Sequence, residues 1–188
     1  RLMYRSRTPE SHMALTDPDR LFPVEPRLRD IARALFETVE KLPIISPHGH
    51  CDPRWFAENR RFPNPAELLV IPDHYLVRML VSQGVTHAQL GIPRHDGGAC
   101  ETDARAVWRL FASHYHLFRG TPSAMWLDHS FEHLFGLDSI LSADTADSHY
   151  DHIDDCLGRD GFRPRALFEQ FNVEVLATTD AATDELAW

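Results

Sequence analysis

Cysteine is scarce in this sequence and carries no framework. The 188 residues hold three cysteines, Cys51, Cys100 and Cys156, an odd number with no CxxC spacing. That excludes a disulfide scaffold and points to a reducing, cytoplasmic setting. Long apolar runs are missing as well: no stretch approaches the ~18–20 residues of a membrane span, and no basic-then-apolar signal peptide is readable. Positive charge is in deficit, with 19 Lys and Arg against 28 Asp and Glu, a net charge of −9, and no basic run longer than two. A nucleic-acid or anionic-membrane surface is thereby excluded, because both rest on clustered cations. An anionic small molecule is not, since one or two arginines placed in a pocket outweigh a diffuse, screened surface charge.

What is present fits a globular chain. Hydrophobic side chains make up 43% and charged ones 25%, enough to bury a core. Residue 1 is arginine, and Ser11-His12-Met13 matches a cloning scar as well as it matches native sequence upstream of a start at Met13. Residues 1–12 are therefore read as a tag or leader standing apart from the fold.

The periodicity predicts a first helix over 26–41, where Leu28, Ile31, Ala32, Leu35, Phe36 and Val39 recur at spacings of three and four behind Pro26. Leu42-Pro43-Ile44-Ile45-Ser46 then reads as a short buried strand. After His48-Gly49-His50 the pattern is helical almost throughout, with helices expected near 53–59, 65–70, 73–83, 103–117, 122–135, 146–157 and 163–171. Their punctuation is conventional: Asp52 before Pro53, Asn64 before Pro65, Asp73 at an N-cap, and Gly84 past a helix end. Val173 to Thr179 returns to a strand pattern, so two strands flank a long helical segment.

Histidine pairs are the chemistry-bearing feature. His48 and His50 leave an extended strand, where residues i and i+2 share a face, so both imidazoles can reach one divalent ion across Gly49. A strand-end pair hydrogen-bonded to nearby carbonyls is the other reading, and spacing alone leaves both open. Cys51 could compete as a ligand but is expected to face away. His114 and His116 have the same spacing on a helical pattern, where they should splay, and read as structural. His129 and His133 are i, i+4 but lack the H-E-x-x-H middle and a third ligand, whereas His149 and His152 lie in an acidic, surface-like run.

The chain is similar in several places to one family. An apolar strand ending in HxH resembles the amidohydrolase superfamily. Within it, Leu42-Pro43-Ile44-Ile45-Ser46-Pro47-His48-Gly49-His50, then Asp52-Pro53, Glu58-Asn59-Arg60 and Pro72-Asp73-His74-Tyr75-Leu76-Val77-Arg78, resembles uronate isomerase (glucuronate isomerase). Asp19-Arg20-Leu21-Phe22-Pro23, Phe118-Arg119-Gly120-Thr121-Pro122, Phe162-Arg163-Pro164-Arg165-Ala166-Leu167-Phe168 and Leu176-Ala177-Thr178-Thr179-Asp180 extend the likeness from Asp19 to Asp180.

The resemblance implies an α/β fold: the N-terminal part of a distorted (β/α)8 TIM-like barrel, with a large, mainly helical insertion after the first strand. On that division 13–52 is the first helix and strand, 53–172 the insertion, and 173–188 the second strand. It further implies aldose–ketose isomerisation of a hexuronate (glucuronate to fructuronate, galacturonate to tagaturonate) and a divalent metal, zinc, on His48 and His50. His74 and Tyr75 match the active-site Asp-His-Tyr motif, and a homo-oligomer is a possible assembly. A tyrosine phenol in water titrates near about 10, a poor base without a cation beside it. Residue types alone favour a capped helix start, with Asp73 as N-cap, Tyr75 packed over the next turn and Arg78 an exposed helix charge rather than a contact for the substrate carboxylate.

Two departures bear on activity. Family chains are much longer, so most of the barrel, the aspartate completing the metal site and the arginine gripping the substrate carboxylate have no counterpart here. Where the family reads Thr-Asp-Asp-Pro, this sequence has Thr179-Asp180-Ala181-Ala182. The 188 residues are thus expected to be an incomplete portion of the enzyme. A hydrolase of the same superfamily and an inactive helical module are the competing readings.

Overall fold

Proline opens five of the eight α-helices found among the described residues, which are 15–185, 187 and 188 of a computed structural model. At the first helical turn a missing N–H costs nothing and the fixed φ is already helical. These helices are α1 (Pro26–Glu37), α2 (Pro53–Glu58), α3 (Pro65–Leu69), α6 (Pro122–His129) and α8 (Pro164–Gln170); α4 (His74–Ser82), α5 (Ala104–His114) and α7 (Ala146–Leu157) start on other residues. Side-chain caps take up the orphan amides: Asp52 accepts from Arg54 N–H, Asn64 from Glu67 N–H, Asp73 from Tyr75 and Leu76 N–H, and Asp103 from Arg105 N–H. Gly84 ends the α4 turn at φ +93°, a conformation that suits glycine. The reading of residues 1–12 and Met13 lies outside the described residues.

Three helix ends fall short of expectation. The first helix stops at Glu37, and 38–42 turns toward the strand. The helix expected to 117 tightens after His114 into a 3-10 turn, Tyr115–Phe118. The one expected to 135 widens at Ser130–Leu134 into a π-turn. There the Ser130 hydroxyl donates to Trp126 O at 2.8 Å, sharing that carbonyl with the Ser130 amide. Short 3-10 turns at Ala88–Leu90 and Asp160–Phe162 carry no periodicity that sequence could reveal.

The core belongs to the helical segment. Val70, Leu76, Leu80, Leu90, Trp108, Phe111, Phe118, Leu127, Phe131, Ile153 and Leu157 are fully or almost fully buried and form one cluster across α3 to α7. Trp108 ties two of these helices, its Nε1–H donating to Ala146 O at 2.9 Å in the buried interior. On the surface, Arg105 and Arg109 of α5 pair with Asp147 and Asp151 of α7.

His149 overturns its reading as a surface residue. It is completely buried on α7, with Nε2 3.0 Å from the Ser139 hydroxyl, Phe131 edge-on at 5.9 Å, and no partner for Nδ1. Periodicity explains the miss: the acidic neighbours Asp147, Asp151 and Asp154 lie on the outer face of α7, while His149 shares the inner face with Tyr150, Ile153 and Cys156. Burial first, then the charge of His152, pushes the imidazole below its ordinary 6.5, with Asp138 opposing. The folded state therefore binds fewer protons here than the unfolded chain. This group's contribution to stability is fully present above pH 6.5 and is lost as pH falls through the lower folded value. Urea titrations at pH 7.5 and 5.5 should show the drop, and His149→Gln should flatten it; an unchanged slope in the variant would place the pH dependence elsewhere.

Two strands complete the α/β chain. β1 (Ile44–Gly49) and β2 (Val173–Thr178) pair in parallel, with Ile44 opposite Val173 and Gly49 opposite Thr178. Parallel pairing requires a crossover, and the whole helical segment supplies it. β1 runs further than predicted, through His48 and Gly49, and it is not buried: Ile44 is 49% and Ile45 62% exposed. A buried strand needs both faces covered, and among the described residues no third strand joins the sheet. Leu28, Ile31 and Leu35 of α1 are likewise about half exposed or more, at 55%, 51% and 65%.

Two motifs far apart in sequence meet at the end of α2. Asn59 ends α2 in the left-handed region at φ 49°, accepting from Arg165 N–H on Oδ1 and from Arg163 Nη1 on its carbonyl. The Arg165 guanidinium donates to Phe56 O at 2.7 Å and Ala57 O at 3.0 Å, covering carbonyls at the C-terminus of α2. The helix that follows β1 is thereby fixed to the helix that precedes β2.

Candidate metal centre

Gly49 sets the geometry of the HxH pair. A Cβ at this position would lie 3.0 Å from Leu176 Cδ1 and 3.2 Å from Ala177 O, so a side chain here would press on β2. With glycine between them, His48 and His50 turn to the same side at the C-terminal end of the sheet. Their Nε2 atoms are 3.0 Å apart and their rings stand edge-on, 79° between planes. Two imidazoles binding one zinc at about 2.0–2.1 Å in a tetrahedral shell hold their nitrogens roughly 3.3 Å apart. The observed approach is close to that bite, so the pair fits a divalent ion. A hydrogen bond from one ring to the other is the alternative use of the same approach.

Surroundings are polar. His50, Cys51, Asp52, Arg54, Thr178, Thr179, Asp180, Asp184, Glu185 and Trp188 line a cleft of about 840 Å³ at the ends of both strands. That is where open parallel sheets carry ligands. Thr179 Oγ1 lies 3.2 Å from His48 Nδ1, and Thr178 Oγ1 donates to Asp180 Oδ2 at 2.6 Å. Asp52 is held below the usual carboxylate range by hydrogen bonds from the Arg54 side chain and then its backbone N–H. Arg54 is therefore already engaged, with its guanidinium also 6.0 Å from the Trp188 ring centre. Cys51 is also among the residues at the cleft, and burial pushes its thiol up, which makes it a poorer ligand at neutral pH. Among the described residues no three His, Cys, Asp or Glu side chains converge to hold an ion.

His74 and Tyr75 are not among the residues that line this cleft. Their rings lie 4.3 Å from one another at the start of α4, capped by Asp73 as the residue types predicted. Tyr75 is not packed away: it is 61% exposed, with the Arg78 guanidinium 5.1 Å above its ring. Arg78 Nε also donates to His74 O, so it is an exposed helix charge that supports the tyrosine.

Two further histidine pairs lie outside the lining of this cleft. His114 Nδ1 lies 2.8 Å from Leu110 O, one turn back along α5, while His116 is exposed. His129 and His133 meet Arg20 and Thr16, and Glu132 between them accepts from the Leu15 and Thr16 amides, so this cluster anchors the start of the described chain.

Comparison with known proteins decides the family. The model of the glucuronate isomerase family matches residues 27–188. The chain belongs to this family. It is 57% identical over 176 residues to a uronate isomerase of Mesorhizobium japonicum, covering 94% of this chain and 38% of the relative. To a uronate isomerase of Rhizobium meliloti it is 55% identical, covering 93% and 37%. A crystal structure of glucuronate isomerase from Caulobacter crescentus superposes with a TM-score of 0.84 at 53% identity, over 88% of this chain and 35% of that one. The uronate isomerase structure from Thermotoga maritima gives 0.70 at 25% identity, over 80% and 31%. The chain thus spans about a third of the length of these family members. Membership weighs against the hydrolase reading. No helix among the described residues is long and apolar enough to cross a membrane.

Proposed function

We propose that these residues form the first part of a cytoplasmic uronate isomerase that interconverts glucuronate with fructuronate and galacturonate with tagaturonate. The observation that carries the reading is the approach of His48 and His50 Nε2 at the common C-terminal edge of two parallel strands, in a chain of this family. In the full assembly β1 and β2 are the first two strands of a distorted (β/α)8 barrel. Residues 53–172 are the insertion between them, 13–52 lead into the barrel, and 173–188 begin its second unit. The uncovered strands and the half-exposed face of α1 support this division, since barrel strands are covered on both faces. A homo-oligomer is compatible with it.

His48 and His50 would hold the divalent ion, zinc, with further ligands from beyond this chain. When bound, the metal supplies electrostatic stabilisation of the negative charge that develops on the sugar oxygens. The cleft of about 840 Å³ is ample for a hexuronate in its open-chain form.

Isomerisation moves a hydrogen from C2 to C1 and the hydroxyl hydrogen from O2 to O1. Tyr75 offers a phenol for one of these transfers, on a side chain that is exposed and backed by Arg78. His74, in contact with the Tyr75 ring, orients the phenol or a substrate hydroxyl. In a polypeptide of the relatives' length that carries this sequence, Tyr75→Phe should lower kcat on D-glucuronate by about a hundredfold or more, with metal content unchanged. Wild-type turnover in that variant would remove Tyr75 from proton transfer.

A further inference from the structure

Thr179 lies one residue beyond β2, and the register that sets Gly49 opposite Thr178 brings its hydroxyl to the far side of the His48 ring. The imidazole is held between two neighbours: Nδ1 is 3.2 Å from Thr179 Oγ1, and Nε2 is 3.0 Å from His50 Nε2. A neutral imidazole carries one proton, and the nitrogen that keeps it cannot bind a metal. The hydrogen bond at one nitrogen selects the tautomer and so decides which lone pair is presented at the other.

We infer that Thr179 is a positioning residue for the metal centre, accepting the Nδ1–H of His48 so that Nε2 is left unprotonated and aimed, with His50, at the ion. The inference rests on the metal-centre reading above. The role proposed for Thr179 is exerted through His48. The same contact links β2 to β1 at the cleft, so the second strand helps prepare the ligand carried by the first. Asp180, engaged by the Thr178 hydroxyl, is turned to a different partner and does not substitute for it.

Two variants separate this role from a structural one. Thr179→Val keeps the shape and removes the acceptor; Thr179→Ser keeps the acceptor. Thr179 is exposed and outside the core, so neither should alter the thermal midpoint. Zinc affinity is measured by competition with a chromophoric chelator in a polypeptide of the relatives' length, and the ring tautomer of His48 by 15N NMR of the metal-free protein. The expected result is zinc binding roughly 10- to 100-fold weaker in Thr179→Val, near wild type in Thr179→Ser, with the Nδ1–H form of His48 dominant only where the hydroxyl is present. Zinc bound as tightly by Thr179→Val as by wild type overturns the inference and leaves the metal centre standing. A wild-type protein that binds no zinc overturns both.

Discussion

Replacing both imidazoles, His48→Ala with His50→Ala, is expected to abolish stoichiometric zinc and to lower isomerase turnover by roughly a thousandfold or more in a polypeptide of the relatives' length. The magnitude follows from the several kcal/mol a metal contributes to stabilising developing oxygen charge, at about 1.4 kcal/mol per factor of ten in rate. Removing one ligand leaves the other imidazole without the bite that the 3.0 Å approach provides, so each single variant should already lose most of the bound metal. Neither change should unfold the chain, because both histidines are exposed at the sheet end and neither belongs to the buried cluster. Elemental analysis gives the metal content, and an unchanged far-UV spectrum guards against a folding defect. Full zinc occupancy in the double variant would show that the ion, if present, is held elsewhere.

The second large effect concerns stability. Trp108→Ala should cost about 3–5 kcal/mol, because it empties the largest fully buried side chain of the helical core. It also leaves Ala146 O, the acceptor of its Nε1–H, without that donor in the interior. Trp108 packs on Phe111, Phe131 and Tyr150, joining α5 to α7 and to the π-turn, so the loss is shared by three elements. Against a total stability of about 5–15 kcal/mol for a typical domain this is a large fraction. A fall of roughly 6–20 °C in thermal midpoint is expected. Trp126, at 44% exposure, is the internal control, and Trp126→Ala should cost less than about 1 kcal/mol. Equal losses in the two variants would contradict the placement of the core.

The features that sequence reveals and those it conceals divide along physical lines. Helix starts are local events: a carboxylate or amide at the N-cap accepts the amides of its own first turn, and Asp52, Asn64 and Asp73 do so where they were read. The turns that follow α5 and α6 lie where side chains share helix carbonyls, His114 with Leu110 O and Ser130 with Trp126 O, which period alone does not disclose. Burial is set by what lies opposite. Ile44 and Ile45 have the composition of buried strand residues and are exposed, whereas His149, in an acidic stretch, is enclosed. The HxH pair could be read because the alternation of an extended chain is a local property, and Gly49 announced the close approach. Thr179 could not be assigned a place at the site, because the register of a parallel pair separated by the whole crossover has no local signature. His74 and Tyr75 were read from a motif, and the structure sets them on the first turn of α4, outside the lining of the cleft.

The most direct test of the central claim follows D-glucuronate by 1H NMR in the presence of a polypeptide of the relatives' length carrying this sequence, before and after removal of metal with a chelator and again after zinc is restored. The account predicts conversion to the ketouronate, its loss on chelation, its return with zinc, and no return when His48 and His50 are alanine. Turnover that persists in the metal-free protein or in the double-alanine variant would contradict it.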